Sequence, residues 1–178
     1  MLQPGNILLM VPAARPPSLM TLPSYLLSQL SKFGRRRLEV VLEDHGLALI
    51  HHGVLSALAD FGPQSQQQLA DCLDFDKSHL VARIDDLQSR GLVTRAQDPA
   101  DRRRNQIALT NAGRALLDRL RPVAEGSQQS FLDALSPAEQ DTLVALLRRA
   151  LDANDAARGA ATAEAATAEE RSPAREQG

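Results

Sequence analysis

A run of arginines closes a turn in the middle of the chain. Residues 98–104 read Asp-Pro-Ala-Asp-Arg-Arg-Arg, which places Pro99 between two aspartates and three arginines at the end. The short runs on either side, residues 92–95 and 105–109, have the composition of β-strands. A hairpin with a cationic tip is therefore predicted, and its guanidinium groups are suited to phosphate oxygens or to an electronegative minor groove.

Two short helices are predicted directly before this hairpin. Ser65 begins an S-x-x-Q capping box, which predicts a helix over residues 66–73. Asp74 or Asp76 can cap a second helix over residues 77–90, which ends at Gly91. The order helix, helix, hairpin is that of a winged helix-turn-helix DNA-binding unit.

The second of these helices has two distinct faces. Leu80, Ile84 and Leu87 form one apolar stripe, whereas the opposite side carries short polar and small apolar side chains suited to base edges and thymine methyl groups. Asp85 and Asp86 would repel phosphates, and either of them is a surface partner for Arg83. The predicted DNA contacts are Ser65, Gln66, Lys77, Ser78, His79, Val81, Ala82, Arg83, Arg95, Asp101, Arg102, Arg103 and Arg104.

Five sequence motifs occur in order between residues 55 and 113: VLSAL, QQLADCL, DKSHLVARIDDLQSRGLVTR, DPADRRRNQIALT and NAG. This pattern resembles the MarR (multiple antibiotic resistance regulator) family of bacterial transcription factors over roughly residues 22–155. Its most distinctive part is the DP-x-DRR turn followed by LT-x-x-G. The resemblance implies that Asp101 braces Arg103, which leaves Arg102 or Arg104 at the tip. It also implies a homodimer with a small-molecule pocket between the dimerisation helices and the winged domain.

The predicted fold class is mainly α, a winged helix-turn-helix with a two-stranded β wing and N- and C-terminal dimerisation helices. We expect a flexible arm over residues 1–21, a MarR-type domain over 22–156 and a disordered tail over 157–178. Within the domain, dimerisation helices span about 22–46 and 110–156, and the winged unit about 47–109. Thr110 and Ser136 are predicted helix caps. An apolar side is predicted for the helix after Thr110, formed by Leu116, Leu117, Leu120, Val123 and Ala124.

Composition narrows the class of protein further. The net charge is −2, but arginines concentrate around the predicted reading helix and wing while acidic residues cluster late in the chain. Cys72 is the single cysteine, and the sequence has no metal-ligand spacing and no motif for a nucleophile or a phosphate loop. We therefore expect no enzyme activity, cofactor or metal. The first residues make a poor signal peptide and no segment is apolar enough to span a membrane, so a cytoplasmic location is expected.

These features predict a sequence-specific transcriptional regulator, a ligand-responsive homodimeric repressor that binds a palindromic operator. Aromatic and phenolic compounds are the candidate effectors. His45, His51 and His52 are the candidate ligand-binding residues, because they lie near the junction of the first two helices. Cys72 is predicted to be a small buried side chain. Two alternatives stay open: a redox-responsive regulator acting through Cys72, and a winged-helix docking module without an effector.

Overall fold

The computed structural model describes residues 14–97 and 105–170, with side chains up to residue 161. The predicted contacts Asp101, Arg102, Arg103 and Arg104 lie outside the described residues. The chain divides into two units, Met1–Phe131 and Leu132–Gly178.

Eight elements form the first unit: α1 Pro23–Glu43, α2 Leu49–Phe61, β1 Gln64–Ser65, α3 Gln66–Cys72, α4 Lys77–Ser89, β2 Val93–Gln97, β3 Asn105–Leu109 and α5 Asn111–Ser130. Helix α6, Pro137–Glu170, belongs to the second unit. This order confirms the predicted fold class, a mainly helical winged helix-turn-helix.

Polar side chains begin the helices where the sequence predicted them. Ser65 Oγ accepts from the N–H of Gln68 at 3.2 Å, and Gln68 Oε1 accepts from the N–H of Ser65 at 2.8 Å, which completes the capping box of α3. Asp76, and not Asp74, caps α4, because its Oδ1 accepts from the N–H groups of Ser78 and His79. Thr110 Oγ1 accepts from the N–H of Gly113 at 3.0 Å and caps α5.

Apolar faces of the helices pack together to form the core of the first unit. The predicted stripe of α4, formed by Leu80, Ile84 and Leu87, is fully buried. In α5 the predicted apolar side is buried except at Val123, which is 52% exposed. Val123 differs because it lies at the edge of the buried arc, about 60° around the helix from Leu120.

The wing is part of a three-stranded antiparallel sheet of order β1-β3-β2, so the prediction of two strands was incomplete. The two-residue strand β1 pairs Gln64 with Ile107 and Ser65 with Gln106. Strands β2 and β3 pair from Val93 with Leu109 to Gln97 with Asn105. Strand β1 thereby fixes one side of the hairpin to the start of α3.

Helix α6 is longer than predicted. The sequence predicted a last firm helix ending near Asn154, followed by a tail that is disordered or at most a frayed helical extension; in the structure the helix continues to Glu170. Alanine and glutamate dominate this segment, and their high helix propensity explains the continuation without a large apolar side chain. None of the described helices is long and apolar enough to cross a membrane.

Candidate nucleic-acid interface

The side of α4 opposite the core is exposed along its length, as the sequence predicted. We call Lys77, Ser78, His79, Val81, Ala82 and Arg83 the reading stripe; all six side chains are exposed. Val81 is 37% exposed. Ser78, Val81 and Ala82 therefore place short hydrogen-bonding and apolar groups on the face opposite the core, and the cations Lys77 and Arg83 lie on the two flanks of the helix. This chemistry is suited to base edges in a major groove.

The two aspartates of α4 are neutralised by neighbouring arginines. Asp85 Oδ1 lies 2.6 Å from Arg95 Nη1, and the same nitrogen donates to Gln88 Oε1 at 2.7 Å. Asp86 Oδ2 lies 3.6 Å from Arg90 Nη1. Both predicted partners of Arg83 are thus paired with other arginines. The positive charges of these arginines offset the repulsion between the two carboxylates and DNA phosphates.

Arg95, predicted as a DNA contact, joins strand β2 to α4 through these bonds. Its side chain is 28% exposed and holds the hairpin against the C-terminal half of α4. Arg95 is therefore placed to orient the wing relative to the helix that precedes it.

Ser65 and Gln66, also predicted as DNA contacts, serve the local fold. Ser65 is occupied by the capping box of α3. Gln66 Nε2 donates to the carbonyl of Lys77 at 3.2 Å and so connects the first residues of α3 and α4. Both residues line an open polar groove of about 640 Å³ that reaches Lys77 and strand β3.

Sequence reasoning missed the other walls of this groove. Gln67, Gln68, Asn105 and Gln106 line it together with the predicted residues. Residues 64–68 and 105–106 meet only because β1 pairs with β3. A two-residue polar strand leaves no alternating pattern, so the sequence held no signal for this juxtaposition.

The three candidate ligand-binding histidines point to different places. His45 is exposed, and His51 is buried against α4. Only His52 lines a cleft of about 290 Å³ between α2 and α5, which we call the α2–α5 cleft. Its other lining residues are Ser56, Asp60, Leu117, Arg121, Ala124 and Glu125.

His51 is a buried helix cap. The residue is 5% exposed. Its Nδ1 accepts from the N–H of Ala48 at 3.1 Å, so the proton of the neutral ring is on Nε2. Nε2 has no hydrogen-bond partner among the described residues and faces Asp86 Oδ2 at 3.6 Å. Burial lowers the pKa of His51 below its ordinary 6.5; the Asp86 carboxylate opposes this effect, and Arg83 and Arg90 add to it.

This lowered pKa predicts that acid destabilises the fold. The unfolded chain binds the proton more readily than the folded one, so stability is present above pH 6.5 and is lost as the pH falls below it. We expect the unfolding temperature to decline between about pH 7 and about pH 5. His51→Gln should reduce the decline, because it removes the imidazole that takes up the proton. The cap is kept, because the amide oxygen of glutamine can still accept from the N–H of Ala48. Burial also lowers the pKa of His52, so part of the decline should persist.

The measurement is thermal unfolding followed by circular dichroism across this range. His45→Gln, at an exposed histidine, is the matched control and should follow the wild-type curve. A decline in His51→Gln equal to that of the wild type would contradict the assigned role.

Cys72 is exposed at the last residue of α3, so the prediction that it is buried was wrong. Helix α3 buries Leu69 and Ala70, and Cys72 lies about 100° around the helix from the centre of that face. Among the described residues, no group of three or more histidine, cysteine, aspartate or glutamate side chains is arranged to hold a metal ion.

Comparison with known proteins places this geometry in a family. The sequence profile of the MarR family matches residues 45–104. The HTH-type transcriptional repressor NicR of Pseudomonas putida is 33% identical over 112 residues, which cover 63% of this chain and 71% of NicR.

Two solved structures are similar as well. Bordetella bronchiseptica BpsR, described as regulated in its DNA binding by 6-hydroxynicotinic acid, superposes with a TM-score of 0.68 at 31% identity, covering 78% of this chain and 99% of BpsR. Rhodococcus jostii CouR, solved with p-coumaroyl-CoA, superposes with a TM-score of 0.66 at 28% identity, and the match covers 76% of this chain and 93% of CouR.

The fold and the exposed reading stripe define a winged helix-turn-helix transcriptional regulator. The chain belongs to the MarR family, whose members are DNA-binding regulators and not enzymes.

Proposed function

We propose that the protein is a homodimeric repressor that binds a palindromic operator through α4 and the wing, and that a small molecule in the α2–α5 cleft releases it. The observation that carries this proposal is the exposed reading stripe next to the hairpin. The two aspartates of α4, Asp85 and Asp86, are already paired with arginines. The repressor named NicR and the ligand-regulated BpsR support the regulatory part.

Exposed apolar side chains support a dimer. On α1 these are Leu27, Leu30, Phe33 and Val40, of which Phe33 is 53% exposed. Helix α6 separately exposes Val144, Leu146, Leu147 and Leu151. Covering such surfaces with a second copy removes them from water, and a two-fold axis would then present two copies of α4 to successive turns of DNA.

Footprinting on DNA that flanks the protein's own gene tests the operator. We expect an inverted repeat to be protected, with half-site centres about 10 base pairs apart or a multiple of that spacing. Val81→Glu should abolish the protection, because a carboxylate on the reading stripe repels the duplex. Phe61→Glu is the control, since it places the same charge on an exposed apolar side chain of α2 that belongs neither to the reading stripe nor to the surfaces assigned to the dimer. Failure of the wild-type protein to protect any inverted repeat at low salt would refute the operator proposal.

The α2–α5 cleft fits an effector with an aromatic ring and a carboxylate. Leu117 and Ala124 offer apolar surface, and the Arg121 guanidinium lines the same cleft. Arg121 is paired with Asp118 at 3.7 Å, and both side chains are well exposed, so this pair is weak and the guanidinium can accept a ligand carboxylate. A ligand releases the operator only to the extent that it prefers the conformation that does not bind DNA.

Titration of the protected complex with 6-hydroxynicotinate and 4-hydroxybenzoate tests the effector site. We expect at least one compound to weaken operator binding, with Arg121→Gln requiring about tenfold more of it, since a charge-assisted hydrogen bond is lost. Operator affinity without the compound should stay at the wild-type value in this variant. Arg119→Gln, at an exposed arginine of α5 that does not line the cleft, is the control. Equal responses of the two variants would place the effector elsewhere.

A further inference from the structure

Arg90 connects the end of α4 to the junction between α1 and α2. Its Nη1 donates to the carbonyl of Gly46 and its Nη2 to the carbonyl of His45, both at 2.8 Å. One guanidinium therefore holds two successive carbonyls of a segment that lies more than forty positions earlier in the sequence. Gly46 has a φ of +64°, and a Cβ at that position would lie 3.8 Å from Arg90 Nη2, so backbone and guanidinium are in close contact.

Asp86 extends this connection into the core. Its Oδ2 lies 3.6 Å from Arg90 Nη1 and also 3.6 Å from Nε2 of the buried His51. The carboxylate thus stands between a cation of α4 and an imidazole of α2. We call Arg90, Asp86 and His51 the α4 relay.

Other polar contacts also reach α4: Gln66 donates to the carbonyl of Lys77, and Arg95 contacts Asp85 and Gln88. Leu80, Ile84 and Leu87 bury the helix against the core, but apolar contacts constrain rotation about the helix axis weakly. The guanidinium fork fixes direction because both of its bonds require one geometry. Helix α4 is about 20 Å long, so a small tilt of its axis about Arg90 displaces Lys77 and Ser78, at the other end, more than the residues next to Arg90.

We propose that Arg90 is a positioning residue for DNA recognition, which sets the orientation of α4 relative to the α1–α2 junction through the α4 relay. The inference rests on the proposed use of the reading stripe. Because base readout requires placement within about half an ångström, loss of the fork should weaken specific binding while non-specific attraction to phosphates persists.

Binding by Arg90→Lys to two duplexes tests the proposal. One duplex is selected by the wild-type protein from a random-sequence pool, and the other is a scrambled version of it. Lysine keeps the charge but cannot hold both carbonyls in the fork geometry. We expect about tenfold weaker binding to the selected duplex, unchanged binding to the scrambled one, and an unchanged dependence on salt.

Arg158→Lys is the matched control, because Arg158 pairs with Asp155 on α6, outside the α4 relay. It should bind both duplexes like the wild type. Asp86→Asn keeps the two carbonyl bonds of Arg90 but removes the charge between Arg90 and His51. We expect a loss of about threefold on the selected duplex, and the double variant should lose less than the product of the two single losses. If Arg90→Lys fails to fold, Asp86→Asn alone must still show the selective loss.

Three outcomes overturn the proposal. Equal loss on both duplexes would show that Arg90 contributes to the binding of any sequence, as a phosphate contact does, and not to the orientation of α4. Unchanged binding by both single variants would show that the relay does not position α4. Multiplicative losses in the double variant would show that the two residues act independently. Failure of the wild-type protein to select any duplex would instead refute the proposed reading function, and this inference with it.

Discussion

Gly113→Ala is expected to destabilise the protein by about 3 kcal/mol. A Cβ at this position would lie 2.1 Å from the carbonyl oxygen of Leu92 and 2.8 Å from Cδ1 of Leu109. The first of these atoms belongs to the backbone directly before β2, so the clash is relieved only by moving the base of the wing away from α5. The N–H of Gly113 also donates to Thr110, and that cap would be disturbed at the same time.

Urea denaturation at a fixed protein concentration measures this effect, since the stability of the proposed dimer would depend on concentration. Gly126→Ala is the matched control in the same helix, because nothing lies within 4 Å of its Cβ position. Helix propensity predicts that it stabilises the protein by up to about 1 kcal/mol. Equal unfolding midpoints for Gly113→Ala and Gly126→Ala would contradict the close approach of Gly113 to the carbonyl of Leu92.

Replacement of Arg102, Arg103 and Arg104 by alanine is expected to reduce operator affinity at least about hundredfold at moderate salt. These residues lie outside the described part of the chain, but β2 and β3 lead directly to them from the side of α4. Each lost phosphate contact lowers the salt slope by about 0.9, so two contacts predict a decrease near two units. Arg103→Ala alone should lower the slope least, because the family resemblance assigns Arg103 to the brace with Asp101.

Binding titrations between about 50 mM and about 200 mM salt measure both quantities. The chain offers a matched control in Arg35, Arg36 and Arg37, a second run of three arginines, which lies on α1. Alanine at these three positions removes three positive charges, as the wing variant does, but at positions about forty residues before the reading stripe in the sequence. Equal decreases in slope for the two triple variants would show that net charge, and not the wing, determines the affinity.

Local chemistry made most of the elements predictable. The caps at Ser65 and Thr110 act within three residues of themselves, and Glu139 accepts from the N–H of Ser136 over the same distance in sequence, so these effects can be read from neighbouring side chains. The buried stripe of α4 follows from helical spacing alone. The reading stripe, as its complement, was predictable for the same reason.

Features that depend on distant pairings could not be predicted. Strand β1 exists only because residues 64–65 meet residues 106–107, and Arg95 is drawn to Asp85 by the folding of the hairpin onto α4. The contact of Arg90 with His45 and Gly46 spans most of the winged unit. Three nearby histidines were grouped by sequence position, but helical geometry sends His51 and His52 to different neighbours.

The base of the wing is closed by Thr110. Its N–H donates to the carbonyl of Leu92 at 3.1 Å, and its hydroxyl lies within hydrogen-bond distance of the carbonyls of Gly91 and Leu92. This lock lies below the strands and makes no use of the residues between them. Lengthening that tip adds only about 0.6 kcal/mol of closure entropy per doubling. The free energy of closing the wing therefore depends only weakly on the length of its tip.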